Sequence, residues 1–184
     1  MNASSDEHIV QKTQNGDAES FGILVERYEA KLLRYGRKFL TNNDDIIDLV
    51  QEVFLRAYTN IQDFDTTRRF SPWLYRIAHN AFINALKKTK SEPLHFFDPD
   101  TILPHLVADQ NTENVASERE LKERMNSSID NLGAKYREPL ILRFFENLSY
   151  DEIADILRIP VSTVGVRISR AKAALKIIYE NGRG

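Results

Sequence analysis

The side chains best suited to chemistry between Thr66 and Ser91 are not nucleophiles. Trp73, Arg76, Asn80, Asn84 and Lys87 recur at steps of three and four, which puts them on one face of a helix. Leu74, Ile77, Ala78, Ala81 and Ala85 fall on the other. A polar face carrying an aromatic ring and cations suits single-stranded nucleic acid, because rings stack on bases and cations follow the backbone. Phe70, Tyr75 and Phe82 are further aromatic candidates nearby. For any one of these rings, filling a small core is the better reading. The function sits in the combination of Asn80 and Trp73 with a basic run that holds no acid.

A second constellation lies near the C-terminus. Ser149 and Glu152 have capping-box spacing and open a short helix with Ile153, Ala154, Ile156 and Leu157. Arg158-Ile159-Pro160 interrupts it, because proline lacks the N–H that the helix would need. Ser162 and Thr163 are cap candidates for the next helix, whose buried stripe is Val164, Ile168, Ala171 and Leu175. Two helices joined by a tight turn, with small Ala154 at their crossing, read as a helix-turn-helix. The first carries Asp151, Glu152 and Asp155, whereas Val161–Lys176 holds four bases and no acid. A helix lying in a DNA major groove needs that asymmetry, since phosphates flank it on both sides. A plain helix pair in a bundle is the alternative.

The formal net charge of −2 hides this segregation. Thr66–Ser91 holds six bases (Arg68, Arg69, Arg76, Lys87, Lys88, Lys90) and no acid, and Ser91–Glu120 holds seven acids against one base, Arg119. Two basic segments split by an acidic one suggest two sites for a polyanion on two bodies. Other functions are excluded by what is missing. With no cysteine, disulfides, thiolate metal sites and cysteine nucleophiles are ruled out. His8, His79, His95 and His105 are scattered, and no metal pair, phosphate-binding glycine loop or nucleophile elbow is present. We therefore expect no cofactor and no catalysis. No apolar run approaches the roughly 20 residues a membrane span needs. Met1–Glu19 is polar and acidic, unlike a signal peptide. A cytoplasmic protein with no regulatory tail is expected.

The elements that must hold these residues are almost all helical. Asp17 can cap a helix to about Leu40, with Phe21, Leu24, Val25, Tyr28, Leu32, Tyr35 and Phe39 at helical spacing. Thr41-Asn42-Asn43 is a turn, and a second helix spans about Asp44 to Ile61. Ser71-Pro72 signals the start of a third helix running to about Lys88, with serine as cap and proline in the first position. Residues 91–114 break all periodicity and hold Pro93, Pro99 and Pro104, so they read as a linker. A capping box at Ser117 and Glu120 then precedes the stripe Leu121, Met125, Ile129, Leu132, ended by Gly133. A helix from about Lys135 to Glu146 follows, its Pro139 tolerable only near the first turn. The expected fold is all-α: two small helical domains joined by an acidic, proline-containing linker.

Three stretches together resemble a known family. Asp44-Asp45-Ile46-Ile47-Asp48-Leu49-Val50-Gln51-Glu52-Val53-Phe54-Leu55-Arg56-Ala57-Tyr58 is similar to the core-polymerase-binding helix of bacterial sigma factors. Phe70-Ser71-Pro72-Trp73-Leu74-Tyr75-Arg76-Ile77-Ala78-His79-Asn80 resembles their promoter-melting helix. Leu148 to Ala154, through Thr163-Val164 to Ser169-Arg170-Ala171-Lys172, resembles their C-terminal helix-turn-helix. The short length and missing central domain resemble the extracytoplasmic-function (ECF) class.

The resemblance implies a division of labour. A second sigma domain, about residues 12–90, would bind core RNA polymerase through Asp45, Asp48, Gln51 and Glu52. Asp45, Asp48 and Glu52 share a face, as acids facing a basic partner helix would. The same domain would melt the −10 element of promoter DNA through Phe64, Trp73, Arg76, Ile77, Asn80, Lys87 and Lys88, holding an unstacked base near Phe64, Ile77 and Asn80. A fourth sigma domain, about 115–180, would dock on the polymerase flap and read the duplex −35 element through Ser162, Thr163, Val166, Arg167, Ser169, Arg170 and Lys172. The acidic linker would thread near the active-site cleft, and an anti-sigma factor would mask these surfaces. Two departures stand out. Gly165 and Val166 replace residues often basic or polar, leaving Val166 to pack on a thymine methyl. Asn84-Ala85-Leu86-Lys87 stands where the family often has an aspartate–arginine pair. A stand-alone helix-turn-helix regulator and a helical protein-binding adaptor are the other readings.

Overall fold

The computed structural model describes residues 4–88, Ile129 and 132–181. The expected linker and most of the helix expected after Ser117 lie outside them. The chain forms two compact units, and the described residues hold seven α-helices and no strand.

The first unit contains α1 (Asp6–Gln14), α2 (Ser20–Gly36), α3 (Asn43–Thr59), a single 3₁₀ turn (Ile61–Asp63) and α4 (Phe70–Lys88). Helix α1 is not predicted by the periodicity, and it carries the first unit back ahead of residue 12. Ser5 caps it by accepting the His8 N–H, and it buries only Ile9, Val10 and Thr13. Two adjacent apolar residues and a threonine give too thin a stripe to see in sequence. Polar contacts fix α1 to α2 instead: Asp6 accepts from the Tyr28 hydroxyl and from Arg27 Nη1 at 2.6 Å. Burial and the neighbouring Asp6 carboxylate push the Tyr28 pKa well above its ordinary value, so the hydroxyl stays a donor.

Asp17 accepts from the Ser20 N–H and hydroxyl, which hold its pKa down, but α2 itself starts only at Ser20. Asn42 caps α3 by accepting the Asp44 N–H at 2.9 Å. Helix α4 starts two residues before the predicted Pro72. The physical reason is a cap from far along the chain: Glu7 Oε1 accepts the Phe70 N–H at 3.0 Å. Pro72 still sits in the first turn, where its missing N–H costs little.

The core of this unit is an aromatic seam between α2 and α4. Tyr35 meets Tyr75 and Phe82 edge-on at 5.3 and 5.7 Å, and Phe39 stacks on Phe82 at 6.5 Å. Gly36 lets α2 approach closely: a Cβ there would lie 2.8 Å from both Ile46 Cγ2 and the Phe82 ring.

The remaining helices are α5 (Ala134–Phe144), α6 (Tyr150–Leu157) and α7 (Val161–Asn181); α5, α7 and α6 up to Ala154 belong to the second unit. Helix α5 packs on α7. Pro139 lies inside α5, the sixth residue of the helix and one residue deeper than predicted, and is buried. It removes the bond its N–H would have made to the Lys135 carbonyl. Buried Arg137 fixes the start of the helix by donating twice to the Leu132 carbonyl, at 2.8 and 3.0 Å. Ile129 and Leu132, from the predicted stripe, are buried.

The capping box of α6 is formed: Ser149 N–H donates to Glu152 Oε2 at 2.7 Å, and Glu152 N–H to Ser149 Oγ at 3.2 Å. Helix α6 ends with Arg158 in the left-handed region (φ 53°) and the Ile159 N–H bonded back to the Ala154 carbonyl, a Schellman closure. Helix α7 begins at Val161, ahead of the predicted caps: Ser162 and Thr163 lie inside its first turn, and the Pro160 carbonyl accepts the Val164 N–H. Its buried stripe is Val164, Ile168, Ala171 and Ala174, with Leu175 only half-buried.

Two helical glycines should respond in opposite senses. Gly36→Ala should lower stability by about 1–3 kcal/mol, because Ile46 and Phe82 are themselves packed and cannot yield. At Gly165 a Cβ would meet only the Tyr150 ring, at an ordinary 3.6 Å. Gly165→Ala should therefore raise stability by about 0.5–1 kcal/mol. Urea unfolding of the two variants, followed by circular dichroism, measures both changes.

Candidate nucleic-acid interface

Helix α4 separates its residues cleanly. Leu74, Ala78 and Ala81 are buried as predicted, while Ile77 and Ala85 are only half-buried. Phe70, Tyr75 and Phe82 are also buried, so these three candidate rings belong to the core and are not available to a base. Trp73 is half-exposed. Its ring is propped from behind by Phe64 at 5.1 Å and Phe70 at 5.6 Å. Phe64 is only 6% exposed, so its ring backs the surface and does not form it.

Trp73, Ile77, Asn80 and Asn84 follow one another at helical steps along a single stripe. Ile77 and Asn80 are half-buried, and Asn84 is exposed. Around this stripe Arg76, Lys87 and Lys88 are exposed, as are Arg68 and Arg69 on the preceding loop. Asp65 in that loop is engaged locally: it accepts from the Thr67 hydroxyl at 2.7 Å and the Thr67 N–H at 2.9 Å, and these bonds hold its pKa down. The result is an apolar strip with an amide beside it and cations around it. Such a surface can stack a base, read its edge and hold its phosphates.

Helix α3 presents a surface of opposite sign. Asp45, Asp48 and Gln51 are exposed, and Glu52 is half-buried. Glu52 is paired with Arg56 one turn on, an exposed i,i+4 contact of the kind worth about 0.3–0.5 kcal/mol. A partner can displace so weak a pair. The prediction missed the apolar part of this face. Leu55, 63% exposed, follows Asp48 and Gln51 at helical steps of seven and four, and Tyr58, 41% exposed, follows Gln51 by seven. A large leucine left in water amid acids was visible in the spacing, had the apolar residues of α3 been sorted by face.

In the second unit α7 exposes Ser162, Val166, Ser169, Arg170 and Lys172, with Thr163 and Arg167 half-buried. Ser162, Val166, Ser169 and Arg170 fall within about a third of the helix circumference, opposite the buried stripe. Val166 is 49% exposed, an apolar contact in the middle of that face. Beside it, the Tyr150 ring covers Gly165 and lies 5.6 Å from the Arg143 guanidinium carbon, while Lys172 Nζ sits 4.7 Å over Phe144.

Among the described residues no three His, Cys, Asp or Glu side chains gather as they would around a metal ion, and no helix is long and apolar enough to cross a membrane.

The family model for Sigma-70 region 2 matches residues 24–92, and that for Sigma-70, region 4 matches residues 122–175. The chain is 36% identical over 175 residues to the ECF RNA polymerase sigma factor SigW of Bacillus subtilis (strain 168), covering 91% of this chain and 92% of that protein. It is 34% identical over 178 residues to the ECF RNA polymerase sigma-E factor of Haemophilus influenzae, covering 94% of each. Among solved structures it is similar to CnrH in complex with the cytosolic domain of CnrY, with a TM-score of 0.69, 25% identity, and coverage of 97% of this chain and 99% of that one. It shares the fold of the sigma factor RpoE from Bartonella quintana, solved with the anti-sigma factor NepR, at a TM-score of 0.63 and 20% identity. A stand-alone regulator is not favoured by these likenesses. The chain belongs to the ECF sigma factors of bacterial RNA polymerase, the subunits that direct promoter-specific initiation of transcription.

Proposed function

We propose that the two units divide initiation between them and that the chain works by binding alone, with no catalytic step of its own. In this reading the first domain, about residues 12–90 extended back through α1, takes up core polymerase on α3 and the −10 element on α4. The second, about 115–180, reads the −35 duplex with the outer face of α7. The observation that carries the reading is the Trp73–Ile77–Asn80 stripe, half-open and propped by Phe64 and Phe70, within a run that has bases and no acid. Unstacking a base costs a few kcal/mol, and stacking on an aromatic ring returns about 1–3 kcal/mol per base. The remainder must come from Asn80 at the base edge and from Arg76, Lys87 and Lys88 on phosphates.

Core binding is read as a central apolar contact with an acidic rim. Leu55 supplies the anchor, Asp45, Asp48 and Glu52 supply complementary charge for a basic partner helix, and Gln51 adds a neutral amide. On α7, Val166 suits a thymine methyl, Ser162, Ser169 and Arg170 suit base edges, and Thr163, Arg167 and Lys172 suit phosphates. The Bartonella sigma factor was solved with the anti-sigma factor NepR, and CnrH with the cytosolic domain of CnrY, which supports an anti-sigma partner for this chain. A cytoplasmic site of action follows from the partnership with polymerase.

Transcription with purified core polymerase tests the reading. Asn80→Ala should cut promoter opening about tenfold and blur −10 discrimination while core pull-down is unchanged; opening at the wild-type rate would refute the pocket. Asp48→Lys combined with Glu52→Lys should abolish core association by charge reversal, and wild-type capture would show that another face binds. Leu55→Ala should weaken capture by roughly tenfold or more if it is the anchor, which a titration against core polymerase measures.

A further inference from the structure

Helix α1 precedes the residues matched by the region 2 model, and the division of labour above gives it no task. Two of its side chains nevertheless reach the junction between α3 and α4. Gln14 Nε2 donates to the Ile61 carbonyl at 2.7 Å and to the Phe64 carbonyl at 2.9 Å, so both hydrogens of one amide are used on the 3₁₀ turn. In return Gln62 Nε2 donates to the Gln14 carbonyl at 3.2 Å. Two helical turns earlier, Glu7 Oε1 accepts the N–H of Phe70, the first residue of α4. Two of the three residues gripped by their backbones, Phe64 and Phe70, are the ones whose rings hold Trp73.

We propose that α1 is a brace for the base-holding stripe, with Gln14 and Glu7 as positioning residues. The proposal rests on the reading that Trp73 and Asn80 take an unstacked base. The segment between the two grips buries little of its own: Gln62, Asp63 and Arg68 are exposed, and buried Ile61 and Phe64 tie it down at one end. Without Gln14 the Ile61 and Phe64 carbonyls lose that partner. Without Glu7 the first N–H of α4 loses its cap, and the helix start is free to fray toward Pro72. Either loss lets the Phe64 and Phe70 rings shift, and with them the ring they prop. A surface that must hold a base out of its stack gains most from being set before the base arrives.

The test uses the full chain with core polymerase and a promoter carrying 2-aminopurine in the −10 element, whose fluorescence rises on unstacking. Gln14→Leu, which keeps volume and helix propensity but removes the donor, should slow opening roughly tenfold and weaken −10 discrimination, with core capture unchanged. In the free protein it should speed amide hydrogen exchange across residues 61–70. Wild-type opening, or unchanged exchange over that segment, overturns the brace. A second pair guards against a folding defect: Glu7→Gln, which keeps an acceptor for Phe70, should open promoters far better than Glu7→Leu, and equal loss in both overturns the assignment of Glu7. If Asn80→Ala leaves opening intact while exchange still rises in Gln14→Leu, the stripe reading fails and the structural brace stands. If Asn80→Ala impairs opening and Gln14→Leu does not, the brace alone fails.

Discussion

The edge-on packing of Tyr75 and Phe82 against Tyr35 is the contact on which the first unit depends. One face of α4 must be immobilised for the other to serve as a surface of fixed shape. Aromatic rings do this well, because each buries a large area and accepts its neighbours only in a few geometries. Gly36 brings the helices close enough for those geometries, and Phe39 closes the far side of the Phe82 ring. At the other end of α4 a second group of rings packs together, Tyr28 on Phe70 at 5.7 Å and Phe70 on Phe64 and Trp73. The ring contacts along α4 thus fall into two groups, one in the core and one ending at Trp73, the single ring among Phe70, Trp73, Tyr75 and Phe82 that reaches solvent.

Charge is arranged on the same helices so that one unit can face two unlike partners. The exposed side of α3 is acidic with a leucine toward its C-terminal end, and the exposed side of α4 is basic with a tryptophan. A net charge of −2 over the chain keeps its far field weak, while each face keeps a strong local field. In water the local fields are damped within about 10 Å, so each face acts at contact range and the two do not cancel.

The second unit solves a different problem, that of turning sharply between α6 and α7 without losing the backbone bonds at their ends. The reciprocal Ser149–Glu152 cap starts α6, and the left-handed Arg158 lets Ile159 close it. A non-glycine residue in that conformation costs on the order of 1 kcal/mol, which the closing bond and the buried stripe of α7 offset. Gly165, which the resemblance marks as a departure, lies under the Tyr150 ring with room to spare, so its lack of a side chain is not a steric need of the fold.

Much of this was legible in the residues themselves. Helical spacing identified α2, α3, α4, α6 and α7, the capping box named the start of α6 to the residue, and the charge segregation marked both basic faces, because each of these signals lies within a few neighbouring residues. What sequence could not settle is what depends on contacts between distant ones. Phe70, Tyr75 and Phe82 stand in the sequence as three more rings beside Trp73, and only packing against α2 turns them inward. The start of α4 moved because its cap, Glu7, lies 63 residues earlier. Helix α1 was invisible because hydrogen bonds to remote backbone, not an apolar stripe, hold it in place. Local propensity and periodicity fix which segments are helices and which charges they carry; burial, and so the choice of which rings and carboxylates face a partner, is decided only when those helices meet.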